Sequence, residues 1–307
     1  MNNISVKLLL PVLAVLLGSC IRDHIQDCPP LRVTLTVKDK NYFNIDDAVK
    51  LGLAERKAED LPFREYVQTL YYRVTDEAGR IVAEQKTMPV TNDALTEEIV
   101  LPVSLPYGRY TVSVWGNLQS DEPLDEGASQ ADLEAVGAAR NDIYLASATF
   151  DYQYGAELYT LGLERTKGNL LIKAEGIPDN INFSMKTIDD IFSTVTSDFE
   201  YSNLTQVSTE LEWEVRNEIQ SETLLCPSPG YEGSTLSVTF VDHDAVSGIA
   251  GRATETASVL TPEDVNITMG RNEITILKYV YDAQQEDFKI YVRVNDNWEQ
   301  WHGMELD

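Results

Sequence analysis

Cys20 is the residue with the clearest chemistry. It closes the run MNNISVKLLLPVLAVLLGSC, in which Lys7 supplies a short basic start and Leu8 to Leu17 an apolar stretch. Leu17-Gly18-Ser19-Cys20 then brings small residues directly before a thiol. An apolar stretch of about ten residues is too short to span a bilayer and fits a secretory signal. Small residues ending on cysteine suit a lipoprotein peptidase, which cuts before the cysteine once its thiol is diacylated. Several acyl chains on one cysteine hold a membrane far better than a single chain, at about 0.8 kcal/mol per buried methylene. Residues 1–19 therefore read as a lipoprotein signal peptide and residues 20–30 as a lipidated spacer. Ile21 follows where an Asp would commonly retain a lipoprotein at the inner membrane, so the outer membrane is the expected destination.

The remaining chemistry is sparse. His24, His243 and His302 are far apart, and neither H-E-x-x-H nor C-x-x-C occurs, so a zinc site of ordinary spacing is not expected. G-x-x-x-x-G-K-[ST] and G-x-S-x-G are also absent. Asp242-His243-Asp244 has too few ligands for a metal and reads as a turn. Glu97-Glu98 and Asp189-Asp190 are adjacent carboxylates that point apart on a strand, which gives acid–base chemistry little support. No catalytic residue and no cofactor follow. Cys28 and Cys226 pass with the exported chain into an oxidising compartment. They either bridge the two halves or stay separate, inert thiols. Asn295-Asp296-Asn297-Trp298 with Trp301 forms a candidate carbohydrate platform, or else a turn whose rings cover a core edge.

These residues must be positioned by strands. Leu31 to Val37 puts Leu31, Val33, Leu35 and Val37 on one face, the period-2 mark of a half-buried strand. Leu70, Tyr72 and Val74 repeat it, as do Tyr110, Val112 and Val114. Further strands are expected at Arg80 to Gln85, Thr96 to Leu101, Asn169 to Ala174, Leu236 to Val241, Glu273 to Tyr281 and Lys289 to Val294. Asp76-Glu77-Ala78-Gly79 reads as a hairpin turn. Short helices are expected at Ile45 to Arg56 and Ala131 to Ala139, and Ser120 to Gly127 reads as a solvated acidic loop. The 307-residue chain is long enough for two domains. The pattern predicts an all-β protein of two tandem β-sandwiches with a few short helices, over residues 31–164 and 165–307. No internal sequence repeat is evident. With 24 basic against 50 acidic residues the net charge is −26, which repels nucleic acid and anionic headgroups alike.

Two stretches carry a resemblance. Cys20-Ile21-Arg22-Asp23 followed by Asp27-Cys28-Pro29-Pro30-Leu31-Arg32-Val33 resembles the opening of the FimB-type fimbrial anchor lipoproteins of the Bacteroidota, which are fimbrillin-associated minor subunits. Thr69 to Arg80 and Gly108 to Asn117 are similar to the same family, so the likeness covers Cys20 to about Asn117. It implies transthyretin-like sandwiches, a lipid on Cys20, and a fimbrillin shaft subunit as partner on the cell surface. Such subunits polymerise by strand exchange. A chain tethered through Cys20 cannot shed its first strand, so the partner strand is expected near the other end, at Phe288, Lys289, Ile290, Tyr291, Val292, Arg293 and Val294. Phe288, Ile290, Val292 and Val294 would face a core; Lys289, Tyr291 and Arg293 would face outward. The competing expectation is a surface glycan-binding lipoprotein using Trp298 and Trp301.

Overall fold

The alternation of apolar and polar residues that marks the first strand is realised in full. In β1 (Arg32–Val37) Val33, Leu35 and Val37 are buried while the residues between them are half-buried. The computed structural model describes residues 29–102, 104–214, 217–230, 233–242, 258–294 and 296–301. Among these, β1 is followed by β2 (Thr69–Asp76), β3 (Ile81–Pro89), β4 (Glu97–Val100), β5 (Gly108–Gly116), β6 (Gln130–Asp132), β7 (Tyr144–Tyr152) and β8 (Leu158–Arg165). Strands β3-β2-β5-β7 form one layer and β8-β1-β4 the other, and two residue pairs between β7 and β8 join them. Leu31, Val33 and Leu35 meet Leu70, Val112 and Val114 in the core between the layers. The expected turn at Asp76 closes the β2–β3 hairpin, with the Asp76 carboxylate accepting from the Arg80 backbone N–H at 2.9 Å.

The second half consists of β9 (Gly168–Glu175), β10 (Phe183–Thr196), β11 (Tyr201–Glu212), β12 (Glu218–Leu225), β13 (Ser234–Val241), β14 (Val259–Leu260), β15 (Val265–Ile267), β16 (Ile274–Asp282), β17 (Asp287–Val294) and β18 (Asn297–Gln300). Its layers are β11-β10-β13 with β14 and β15, and β12-β9-β16-β17-β18. The strand plan of the first half recurs. β1 pairs β8 in parallel and β4 antiparallel, and β9 likewise pairs β16 in parallel and β12 antiparallel. β2 lies between β3 and β5 as β10 lies between β11 and β13. The nine-residue β7 is replaced by two short strands, and β17–β18 is a hairpin beyond the shared plan.

The halves share packing. β6, from the first half, pairs with the end of β10, and Trp115, Leu133 and Ile143 join the core of the second sandwich. Gly168 opens β9 where the backbone runs against another strand connection, and a Cβ there would overlap the Gly270 carbonyl oxygen.

Three local expectations are corrected. The first predicted helix is only α1 (Ile45–Lys50), because Gly52, at φ +67°, ends it in a Schellman motif. There the Gly52 N–H donates to Val49 O at 3.0 Å and the Leu53 N–H to Ala48 O at 2.9 Å. The second predicted helix is β6 followed by turns. Its first residues are drawn into pairing with β10, and the buried Lys167 donates through Nζ to the carbonyls of Leu133, Ala138 and Ala139 at 2.9, 3.0 and 2.8 Å. The acidic stretch is docked: Asp121 accepts from Thr87 Oγ1 at 2.6 Å, the Glu126 carbonyl accepts from Arg73, and Pro123 is buried.

Candidate functional site

The predicted partner strand is β17, and it is paired along both sides. Leu277↔Val292 through Asp282↔Asp287 join it to β16, and Tyr291↔Gln300 through Val294↔Asn297 join it to β18. Its faces divide as the alternation predicts except at Val294, which lies beyond the last β16 pair at Val292 and is 36% exposed instead of facing the core. Ile290 is buried in the second core, and Phe288 and Val292 pack against the same cluster. On the outer face Lys289 Nζ donates to Asp282 at 2.8 Å, and Lys278 lies 5.2 Å from the Tyr291 ring. Among the described residues β17 is therefore an internal strand, paired to β16 over its first six residues and to β18 over its last four, and the outer side of β18 is the edge of the sheet.

The two tryptophans do not make one platform. They are three residues apart on an extended segment and so lie on opposite faces. Trp298 packs outward with Ile45, Leu171 and Ile276 and lies 4.7 Å from Lys278 Nζ and 5.7 Å from the Arg293 guanidinium. Trp301 packs inward against the second core, its N–H donating from the backbone to Ile290 O at 2.8 Å. The two half-buried rings therefore do not form one continuous stacking surface.

Beside the hairpin runs a groove of about 700 Å³, lined by Phe43, Asp47, Ile267, Glu273, Val294 and Trp301 among others. It opens where the short β14 and β15 stand in place of a long strand. Phe43 is 69% exposed at its rim. Burial pushes the Glu273 carboxyl above its ordinary range. Residues of the first half form one wall. Asn44 holds that wall in place, its side chain accepting from Ile274 N and donating to Ile274 O, both at 2.8 Å, like one more strand residue beside β16. Lys50 donates to Asp296 at 2.7 Å and ties α1 to the turn of the hairpin. That bond holds the Asp296 carboxyl low, while the neighbouring Asp296 carboxylate raises that of Asp47. The groove's lining mixes Phe43, Ile267, Val294 and Trp301 with Asp47, Glu273, Arg293 and Glu299, and strand ends border it, a setting in which an extended segment can pair with main chain.

The other candidate residues are not brought to this site. Cys20, Cys28, His24, His243 and His302 lie outside the described residues. Cys226 is fully buried, and burial pushes its thiol up to about 12. Glu98 pairs with Arg32 at 2.8 Å, while Glu97 accepts from Asn92. Asp189-Asp190 forms a β-bulge in β10, with Asp190 at φ +59°. Among the described residues no group of three His, Cys, Asp or Glu is placed to hold a metal ion, and no helix is long and apolar enough to cross a membrane.

The joint between the halves was not legible in the sequence. Arg165 is buried between the rings of Tyr42 and Tyr144, at 4.3 and 5.2 Å, and donates to Asp142 at 2.7 Å and Asn272 at 3.0 Å. The available signal was Arg165-Thr166-Lys167, a polar step between two apolar strands, which marked a boundary but not its burial.

No protein-family model matches the chain, and no curated protein does. Solved structures do. A candidate adhesin of Bacteroides ovatus aligns over 93% of this chain and 98% of its own, at 13% identity and a TM-score of 0.54. The fold is shared. A second candidate adhesin, from Bacteroides thetaiotaomicron, aligns over 90% of this chain and 99% of its own, at 13% identity and a TM-score of 0.55. The neighbours also include the fimbrial anchor protein Mfa2 of Porphyromonas gingivalis, over 89% of this chain and 100% of that one, at 14% identity and a TM-score of 0.49. The two adhesin alignments span both sandwiches and establish the all-β architecture of the chain.

Proposed function

We propose that this protein is a lipid-anchored outer-membrane subunit that anchors or assembles fimbriae, with a fimbrillin shaft subunit as its partner. The observation that carries the reading is the β17–β18 hairpin, added to the second sandwich outside the duplicated strand plan. Beside it a peptide-sized groove opens where the layer is short of a strand. A subunit that joins a polymer by main-chain pairing needs an edge or groove of this kind. The fold shared with the Bacteroides candidate adhesins supports a surface role, and the run ending at Cys20 supplies the tether. β17 stays in its sheet, and the shaft engages the outer edge of β18 and the adjoining groove. Affinity capture of the tagged protein from sheared fimbriae tests this. Shaft protein should co-purify and should be lost when Val294→Glu and Phe43→Glu charge the groove rim. Capture without any shaft protein would end the reading.

A further inference from the structure

The end of the first sandwich farthest from the second carries an unusual surface. Val100, Tyr107, Tyr154 and Leu158 are 46, 42, 84 and 75% exposed, and the register gathers all four there. Arg32 pairs with both Val100 and Leu158, which places those two on the same face on either side of it. Gly108, next to Tyr107, pairs with Tyr152, and Tyr154 lies in the turn closed by the Gln153–Ala156 bridge. The Tyr107 and Tyr152 rings meet edge to face at 4.9 Å. Tyr152 Oη donates to the Pro29 carbonyl at 2.6 Å, so the described chain begins at this same end, nine residues after Cys20.

Charge distribution adds a second, independent observation. In a chain with 24 basic and 50 acidic residues, residues 102–108 and 152–156 contain none of either. Of the charges that border them, Arg32 pairs with Glu98 at 2.8 Å, Arg80 with Asp76 at 2.7 Å and Arg109 with Asp151 at 4.0 Å, while the Glu157 carboxylate accepts from the Gly155 N–H at 2.7 Å. Exposed tyrosines and aliphatic side chains in segments free of charge are the composition of a bilayer's headgroup–acyl boundary.

We propose that this end is a membrane-facing foot, in which Val100, Tyr107, Tyr154 and Leu158 rest in the interface of the bilayer that holds the lipid on Cys20. The proposal rests on the lipid-anchor reading. Nine residues reach at most about 32 Å, so the tether keeps the foot within range of the surface. A tethered contact needs little affinity of its own, because the local concentration of its target is high. The β8 strand then runs about 23 Å away from the membrane before the second sandwich begins, which turns the groove away from the lipid.

The test uses the full lipidated chain in vesicles of the zwitterionic lipids phosphatidylethanolamine and phosphatidylcholine, with intact mass reporting the acyl groups and hydrogen exchange read over residues 104–109 and 152–158. These amides should exchange about tenfold more slowly in vesicles than in soluble Cys20→Ala protein. A Tyr154→Ser/Leu158→Ser variant should stay on the vesicles through its lipid yet lose that protection. An acylated, vesicle-bound protein whose loops exchange as fast as those of the soluble form overturns the foot alone. A protein without acyl mass overturns both the foot and the anchor. Protection that rises with concentration in the absence of vesicles assigns the surface to a second copy and also overturns the foot.

Discussion

At the residue scale, the buried Lys167 and the surface carboxylate of Glu84 each gather several hydrogen bonds. Lys167 holds three backbone carbonyls at once inside the core. Desolvation lowers its pKa, and these carbonyl dipoles hold the ammonium in place. Lys167→Met keeps the apolar stem and strands the three oxygens, each costing about 1–3 kcal/mol when unpaired. A loss of about 3 kcal/mol, seen as a melting temperature several degrees lower, is expected; an unchanged melt would contradict the role. On the opposite face of the first sandwich, Glu84 accepts from Tyr71 Oη at 2.5 Å and from Arg73 at 2.6 Å. These bonds hold its carboxyl below the ordinary range. Because the folded value is the lower one, the stabilisation is complete above the unfolded value near about 4.3 and disappears as pH falls through the folded value. Denaturant midpoints measured from pH 6 down to pH 2.5 should therefore drop less steeply in Glu84→Gln than in the parent protein. Cys226, buried and with its thiol pushed up to about 12, should resist alkylation in the native protein. Comparing its alkylation in denatured protein with and without reductant tests the pairing with Cys28 directly.

At the element scale the decisive piece is the terminal hairpin. β17 lies between β16 and β18, so Tyr291→Pro removes a ladder donor from a strand paired on both sides. The purified variant should melt many degrees lower. A parental melting temperature combined with detached fimbriae would instead show that β17 makes its bonds to another chain. Strands were the legible part of this sequence. Leu31 to Val37 and Lys289 to Val294 alternate cleanly, and both faces of each fell where the alternation put them, apart from the exposed Val294. Helices were not. The spacing at Ala131 to Ala139 is helical, but its first residues pair with β10 and the rest forms turns whose carbonyls Lys167, far along the chain, binds. Asp121 and Glu126 read as solvated because side-chain polarity does not reveal that Thr87 and Arg73 come to meet them. At the candidate site, the strand and its two faces were readable. The groove was not, since it arises from what β14 and β15 lack.

On the scale of the whole molecule, the duplication of the strand plan left no trace in the sequence, because a sandwich core asks for apolar volume on alternate positions and not for particular residues. What distinguishes the halves is functional geometry: chain entry and an uncharged, tyrosine-bearing end on the first, an added hairpin and groove on the second. Arg165 and Lys167 lock the two together across the joint. In the proposed role the molecule is thus a stiff link between a lipid at Cys20 and a shaft at the hairpin. The central claim is that Cys20 holds fimbriae to the cell. Its most direct measurement is the fraction of fimbriae found in the medium from cells carrying Cys20→Ala as their only copy. The account predicts that fimbriae still assemble but are shed, and that the protein leaves the outer-membrane fraction. Fimbriae that remain attached in normal number, with the variant still in that fraction, would contradict it.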